Sequence, residues 1–565
     1  MPLYWPSVFA RPWFQISLLF LIGLQAFFSN ITLSLFGETE GLYAIVTHTM
    51  MAGGDYIHLW LRGEPYFNKP PLFFWLQAGF VKAFDWSELA LRLPSALASM
   101  GTMFTTYALG KLWFSHSAAF WAALVVGTCY AGLWFGPLAI IDPVLTFFMT
   151  VGLYGLARAY FQEQASGWYV VGFVALALGA MVKTLHALAL PAMVLGLFLY
   201  VRRDTRPFRT QEFWVGVVMA GMLLAAYFSL LGQDFWDHFF LKENLNRLVA
   251  QVGDEEHSAL EAYWGKRPIH WYAYAIWFDL FPWSVVMPFG FWLLWTRRPW
   301  KQFPQELWLL LWVVGYFVAF SLAPEKHERY LLPLLPGLGL MVGYVYHSLT
   351  FDQRLEQYAK VLRAFLGLAG LAFVVLAFLG PYLLQKKWYV GLDIIPLGIQ
   401  GALTVLGVCI MAWAFLGQWK KALKGIGILG FALMLTVSEF IIPGILNAGS
   451  PAAVYRHAQQ ALTHPSDPIL VFQSWDWRGD EDEFYWDSWH GHSRIVAENQ
   501  PQELAIKQLV QEVSRAQTLT ILMTEDQLQL VRRDASELHA EVLMHFYRSK
   551  KRIVLVALNG NGRPG

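Results

Sequence analysis

WFQISLLFLIGLQAFFSNITLSLFGETEGLYA, residues 13–44, holds the reading that decides the fold. Its first two dozen positions, 13–36, carry no charged side chain, and about 20 such residues in a helix span the ~30 Å hydrocarbon layer of a bilayer. Arg11 is the one charge that precedes the run. No small-residue cleavage site follows, so the run reads as a retained first span rather than a removed signal peptide. Glu38 and Glu40 then stand where the chain leaves the bilayer. An unpaired carboxylate beside hydrocarbon is costly, so acids at that level either line a polar cavity or sit solvated among headgroups.

The rest of the chain agrees with that start. Of 565 residues, 56% are hydrophobic and 14% charged, with 27 Trp and 43 Phe, and mean hydropathy is +0.41. These values lie far from a soluble average and identify an integral membrane protein. A net charge of +1 and the absence of a basic low-complexity arm give no reason to expect a nucleic-acid partner. Cys129 and Cys409 both fall in apolar runs, which excludes a disulfide framework and a cysteine-based zinc site.

Counting about 17 to 25 apolar residues per span gives about 13 transmembrane helices. They are expected near 13–36, 89–114, 117–136, 143–163, 167–183, 184–201, 213–232, 269–296, 305–323, 330–349, 361–384, 394–416 and 423–446. With the N-terminus cytoplasmic, the cytoplasmic loops collect Arg202, Arg203, Arg206 and Arg209, then Arg297, Arg298 and Lys301, and later Lys420, Lys421 and Lys424, the expected bias. The opposite face also carries cations, but these sit among acids and aromatics in longer loops, 36–88, 233–268 and 324–330, which suggests a site. The chain past 447 is then extracytoplasmic. Short apolar runs, Pro468–Phe472, Leu519–Met523 and Arg552–Leu558, alternate there with polar helical stretches. A small α/β domain over 447–565, following a membrane domain over 1–446, is expected. Its run from Trp475 to Trp486 is acidic and aromatic, either a substrate contact or a solvated loop.

Several side chains on the site face carry chemistry. Lys69 precedes Pro70-Pro71, a stiff support that suits a fixed ammonium for a phosphate, or else a lysine snorkelling to headgroups. Asp142 stands before Pro143, between two apolar runs, as an N-cap, a functional acid, or both. Lys183 lies at the junction of two spans. The 233–268 loop is dense in charge, including Glu243, Arg247, His257, Lys266 and Arg267, and the 324–333 turn adds Lys326, Arg329 and Tyr330. Gly425-Ile-Gly-Ile-Leu-Gly430 fits GxGxxG but lies in an apolar run, where helix packing through small residues is the better reading. Asn30-Ile31-Thr32 fits a glycosylation acceptor inside the first span and is discarded. No HExxH or Walker loop occurs.

The order EGLYA (40–44), GEPYFNKPP (63–71), IDPVLTFF (141–148), VKT (182–184), ENLNR (243–247), FPW (281–283) and EKHERYLLP (325–333) resembles the membrane glycosyltransferase clan of GT-C type that contains protein O-mannosyltransferases and the lipid A aminoarabinose transferase. The resemblance implies transfer of a sugar from a polyprenyl (undecaprenyl) phosphate donor to an envelope glycolipid, glycan or protein, at the periplasmic face of a bacterial inner membrane. It implies Glu40 or Glu38 as the acid of the first loop, beside Tyr43, and Asp142 as the second acid. Lys69, Arg267 and Tyr330 would hold the carrier phosphate, with Lys183, Glu243 and Arg247 close by and His257 and Lys326 in the same loops. A carboxylate base and a single inverting displacement form the simplest scheme. A divalent cation bridging acid and phosphate stays open. The rival from another class is a transporter or flippase of lipid-linked sugars; the internal repeat such folds often show is not evident.

Overall fold

The computed structural model describes residues 11–33, 35, 38–237, 267–297, 303–323, 326–351, 359–388, 396–443, 469–472, 493–496, 502–516, 518–535, 537–548 and 551–559. Its helices, in chain order, are α1 (Pro12–Phe28), α2 (Glu38–Gly53), α3 (Leu72–Phe84), α4 (Glu88–Trp113), α5 (His116–Thr128), α6 (Tyr130–Phe135), α7 (Ile141–Phe161), α8 (Trp168–Val182), α9 (His186–Arg202), α10 (Gln211–Trp236), α11 (Trp271–Asp279), α12 (Met287–Arg297), α13 (Pro304–Leu322), α14 (Leu335–Phe351), α15 (Ala359–Trp388), α16 (Leu397–Phe415), α17 (Trp419–Thr436), α18 (Gln502–Ala516) and α19 (Glu525–Asp534). The chain divides into two compact units. One holds Met1–Ile31, Gly53–Gly380 and Ile395–Phe440; the other holds Thr32–Ala52, Pro381–Ile394 and Ile441–Gly565.

The first unit is helical. Among the described residues seven helices are long and apolar enough to cross a membrane, and the bent pair Trp271–Asp279 and Trp283–Thr296, turned through 114°, makes up to eight. This is a multi-pass membrane protein. The other expected spans form helices too short or too polar to qualify on these grounds. Residues 13–36 give only the 17-residue α1, and α4 carries Glu88, Arg92 and Lys111 within its 26 residues. Helices here meet through small side chains, as expected where lipid supplies no hydrophobic drive between them. A Cβ on Gly155 of α7 would lie 2.8 Å from Gly172 Cα of α8, and one on Gly343 of α14 would lie 2.5 Å from the Ala118 carbonyl oxygen of α5. The GxGxxG run lies on α17 in the same role: Gly427 faces Trp121, and Gly430 faces Thr128 and Pro282.

Between Gly53 and α3 the chain is irregular but well tied. Gly54 takes φ +72°, and Asp55 Oδ1 accepts the amides of Ile57 and His58 at 2.9 and 3.0 Å. Strands β1 (Trp60–Leu61) and β2 (Glu64–Pro65) pair antiparallel. Arg62 and Gly63 close them at φ +54° and +83°, the positive pair a two-residue hairpin needs.

The second unit contains α2 and a five-stranded sheet in the order β4-β3-β5-β7-β6. Its strands are β3 (Ile469–Phe472), β4 (Ser493–Val496), β5 (Thr518–Thr524), β6 (His539–Arg548) and β7 (Lys551–Asn559). β3 pairs parallel with β4 and β5, whereas β7 pairs antiparallel with β5 and β6. The three apolar runs picked out of the sequence coincide with β3, β5 and β7. Ala505, Leu509 and Val513 of α18, and Leu528 and Val531 of α19, bury against Ile521, Met523, Val554 and Val556 of the sheet. Thr524 and Gln527 form a capping box that starts α19 directly from β5. The acidic aromatic run 475–486 lies outside the described residues.

Candidate functional site

The helical unit gathers three separate segments around one carboxylate. α7 opens with Ile140 as N-cap, in extended conformation and with no side chain able to cap. Asp142 is therefore the second residue inside the helix and not its cap, which corrects that sequence expectation. Its carboxylate is engaged elsewhere. Lys183 Nζ donates to Asp142 Oδ1 at 2.6 Å, and Arg329 Nε stands 3.6 Å from Oδ2. The Asp142 and Lys183 side chains are only 3% and 9% exposed, so this is a desolvated pair, where geometry decides the balance against the lost hydration.

Lys183 is placed by the end of α8. It is that helix's C-cap, leaves helical geometry at φ −136°, ψ −70°, and so turns its side chain out of the helix path. Its ammonium lies 4.0 Å from the centre of the Tyr330 ring, in range for a cation–π contact. Tyr330 and Arg329 belong to the 3-10 turn Glu328–Leu334 that precedes α14. The Tyr330 amide donates to the His327 carbonyl at 3.0 Å, and the Tyr272 hydroxyl of α11 donates to that same carbonyl while accepting the His327 amide, at 3.0 and 3.2 Å. Arg267 Nη1 donates to the Lys326 carbonyl at 2.6 Å and its guanidinium rests 4.2 Å above Trp271. Lys326 Nζ donates to the Ala323 carbonyl at 2.7 Å, and burial lowers its pKa from the usual lysine range.

Lys69 approaches from the loop between β2 and α3, its Nζ donating to the Asn68 carbonyl at 2.8 Å. Pro71 N-caps α3. The first amide of that helix, Leu72, donates to the Tyr227 hydroxyl, which donates in turn to the Met181 carbonyl, both at 3.2 Å. A buried cluster of Met181, Tyr227, Phe228, Leu231 and Phe235 packs Phe67, Leu72 and Leu185 around this tie.

Of the residues singled out in the sequence, Asp142 and Tyr330 each meet Lys183, Arg267 is bonded to the carbonyl of Lys326, four residues before Tyr330, and Lys69 stands on the segment that Tyr227 ties to Met181. Glu40 and Tyr43 lie on α2 of the other unit, 1% and 5% exposed; Glu38 opens that helix. Glu243, Arg247 and His257 fall outside the described residues. The sequence reading brought Arg329 forward with Tyr330 but gave it no role, and it did not single out His186 or the two bridging hydroxyls of Tyr227 and Tyr272. Among the described residues no three His, Cys, Asp or Glu side chains come together as metal ligands. The arrangement offers a cationic surface held by a buried carboxylate, suited to an anionic group with a leaving oxygen.

A family model described as dolichyl-phosphate-mannose-protein mannosyltransferase matches residues 68–229, from just before Lys69 to the tail of α10. The chain is 28% identical over 437 residues to the undecaprenyl phosphate-alpha-4-amino-4-deoxy-L-arabinose arabinosyl transferase of Pseudomonas aeruginosa (strain UCBPP-PA14), covering 75% of this chain and 73% of that one. It is 26% identical over 391 residues to the protein of the same name from Aeromonas hydrophila, covering 68% of each. Among solved structures, ArnT from Cupriavidus metallidurans bound to undecaprenyl phosphate superposes with a TM-score of 0.67 at 18% identity, covering 96% of this chain and 97% of that one.

Proposed function

We infer that this chain, a membrane glycosyltransferase of the type that includes protein mannosyltransferases and aminoarabinosyl transferases, moves a sugar from a polyprenyl phosphate carrier to an acceptor. The observation that carries the reading is the buried Asp142–Lys183 pair with Arg329 and Tyr330 set against it. When the bond between the anomeric carbon and the phosphate oxygen breaks, both bonding electrons leave with the phosphate, and negative charge grows on its oxygens. Fixed cations at that point favour the transition state over the ground state. Lys69, Lys183, Arg267 and Arg329 are the cations we assign to this work, with Tyr330 directing Lys183. Asp142 orients Lys183 and Arg329. On motif order alone, Glu40 is the residue we assign as base for the acceptor hydroxyl, in a single inverting displacement.

The donor is assigned to undecaprenyl phosphate-linked sugars, and the acceptor to lipid A, another envelope glycan or a protein. We place the reaction, and residues 447–565, at the periplasmic face of the inner membrane, on the distribution of Arg and Lys among the loops. Thirteen crossings are the finer topology proposed. Mass spectrometry of envelope lipids, glycans and proteins from cells with and without the chain is expected to reveal a one-sugar mass difference on a single class. In the purified reaction, Lys69→Ala and Glu40→Gln should each cut transfer by about 10- to 100-fold, the size of one charge-assisted contact. Correctly inserted variants that transfer at the parent rate would remove those two residues from the assignment.

A further inference from the structure

We propose that Ser95, with Ser99 one turn later, is a positioning residue that sets where Asp142 stands; the proposal rests on the cluster reading given above. α4 and α7 are packed neighbours, and the serine and threonine hydroxyls of α4 divide into two kinds. Thr102, Thr105 and Thr106 donate back to the carbonyls of Ala98, Gly101 and Thr102 at 2.9, 2.8 and 2.7 Å. That is the ordinary local solution for a hydroxyl in an apolar helix. Ser95 and Ser99 leave their own helix. Ser95 Oγ donates to the Ile140 carbonyl at 2.8 Å and Ser99 Oγ to the Gly136 carbonyl at 3.0 Å, both bonds buried.

The segment they hold, 136–140, belongs to neither α6 nor α7. Within it, short-range amide bonds run from Gly136 to the Gly132 carbonyl at 3.0 Å, Leu138 to the Phe135 carbonyl at 3.3 Å and Ile140 to the Leu138 carbonyl at 2.7 Å. Ile140 is also the N-cap that no side chain caps. A hydroxyl of α4 thus holds the backbone at the start of α7, two residues before Asp142. A hydrogen bond weakens within a few tenths of an ångström, so the 2.6 Å bond from Lys183 depends on how the backbone enters the helix at Ile140. Ser95 touches neither donor nor acceptor in this scheme; it acts through Asp142 on Lys183 and Arg329.

The test uses the full chain in detergent or liposomes, with undecaprenyl phosphate as probe and tryptophan fluorescence as readout. Ser95→Ala is expected to weaken binding about tenfold, the size of one buried hydrogen bond. The KM for the sugar donor should rise with it while the KM for the acceptor stays put, a split that a mere loss of folded protein would not produce. In an Asp142→Asn background the same substitution should cost less than about twofold, because positions acting through one residue are not additive. Parent affinity in Ser95→Ala, or an equal loss in both backgrounds, overturns the proposal. Asp142→Asn binding the probe as tightly as the parent overturns instead the cluster reading beneath it. Where Ser95→Ala does not accumulate, Ser99→Ala enters the same cycle with the same expected and refuting results.

Discussion

Lys183→Met removes one partner of the buried pair and leaves the other carboxylate in place. At the 2.6 Å separation and an effective dielectric constant of about 20, the gross attraction is about 6 kcal/mol. Desolvation of two side chains that are 3% and 9% exposed offsets much of it, and breaking such a pair costs about 3–5 kcal/mol in net stability. Arg329 at 3.6 Å still faces Asp142 in the variant, so the expected loss lies at the lower end, about 3 kcal/mol. The assay is unfolding in mixed micelles of rising sodium dodecyl sulfate fraction, followed by tryptophan fluorescence, with undecaprenyl phosphate binding measured on the same preparations. Asp142→Asn combined with Lys183→Met should recover more than half of the stability lost, since no buried carboxylate is left without its ammonium and Arg329 is 25% exposed, yet should not recover binding. A single variant that loses under about 1 kcal/mol, the range of an exposed ion pair, would refute the picture of a desolvated pair. So would a double variant that is no more stable than the single one.

Two further outcomes follow from features away from the cluster. Asp204 accepts bonds from the Tyr160 hydroxyl at 2.6 Å and from Arg206 at 2.8 Å, and the Arg206 guanidinium beside it depresses its pKa below the usual carboxylate range. Its contribution is therefore present above the unfolded-state pKa and fades as pH falls through the folded one. Arg206 is 66% exposed, so Asp204→Asn should cost about 1 kcal/mol near neutrality, shrinking below about pH 4; a cost that grows in acid would contradict this. Gly155→Val would drive a branched side chain into the α8 backbone, and a destabilisation of about 1–3 kcal/mol is expected in the same unfolding assay, whereas Gly167→Ala, where a Cβ meets nothing within 4 Å, should be nearly neutral.

Composition and apolar run length were enough to identify a multi-pass helical membrane protein, because hydrocarbon imposes one requirement on every spanning segment. Motif order was enough to bring Lys69, Asp142, Lys183 and Tyr330 forward one by one. Their grouping was not legible: Asp142 and Lys183 are 41 positions apart, and nothing local couples them. Reading Asp142 as an N-cap failed for a related reason. Residue order marks a helix start before Pro143, but the helix begins two residues earlier, after an Ile140 whose carbonyl is bonded by Ser95 of α4, distant in sequence. Arg329 was legible as a cation of the 324–333 turn but its partner was not; that it stands 3.6 Å from a buried acid depends on the 3-10 turn at Glu328–Leu334.

The Tyr227 hydroxyl, accepting from Leu72 and donating to Met181, fixes the spacing between the leg that presents Lys69 and the helix end that presents Lys183. Ordering a loop lysine only when an anion arrives would cost conformational freedom at the moment of binding. Here the leg is ordered when the chain folds, and the packing of Phe67 and Leu72 against Met181, Tyr227 and Phe235 bears that cost permanently. Association can then proceed with little rearrangement of the receptor. Loosening that single phenol would transfer the ordering cost from the folding equilibrium to the binding equilibrium.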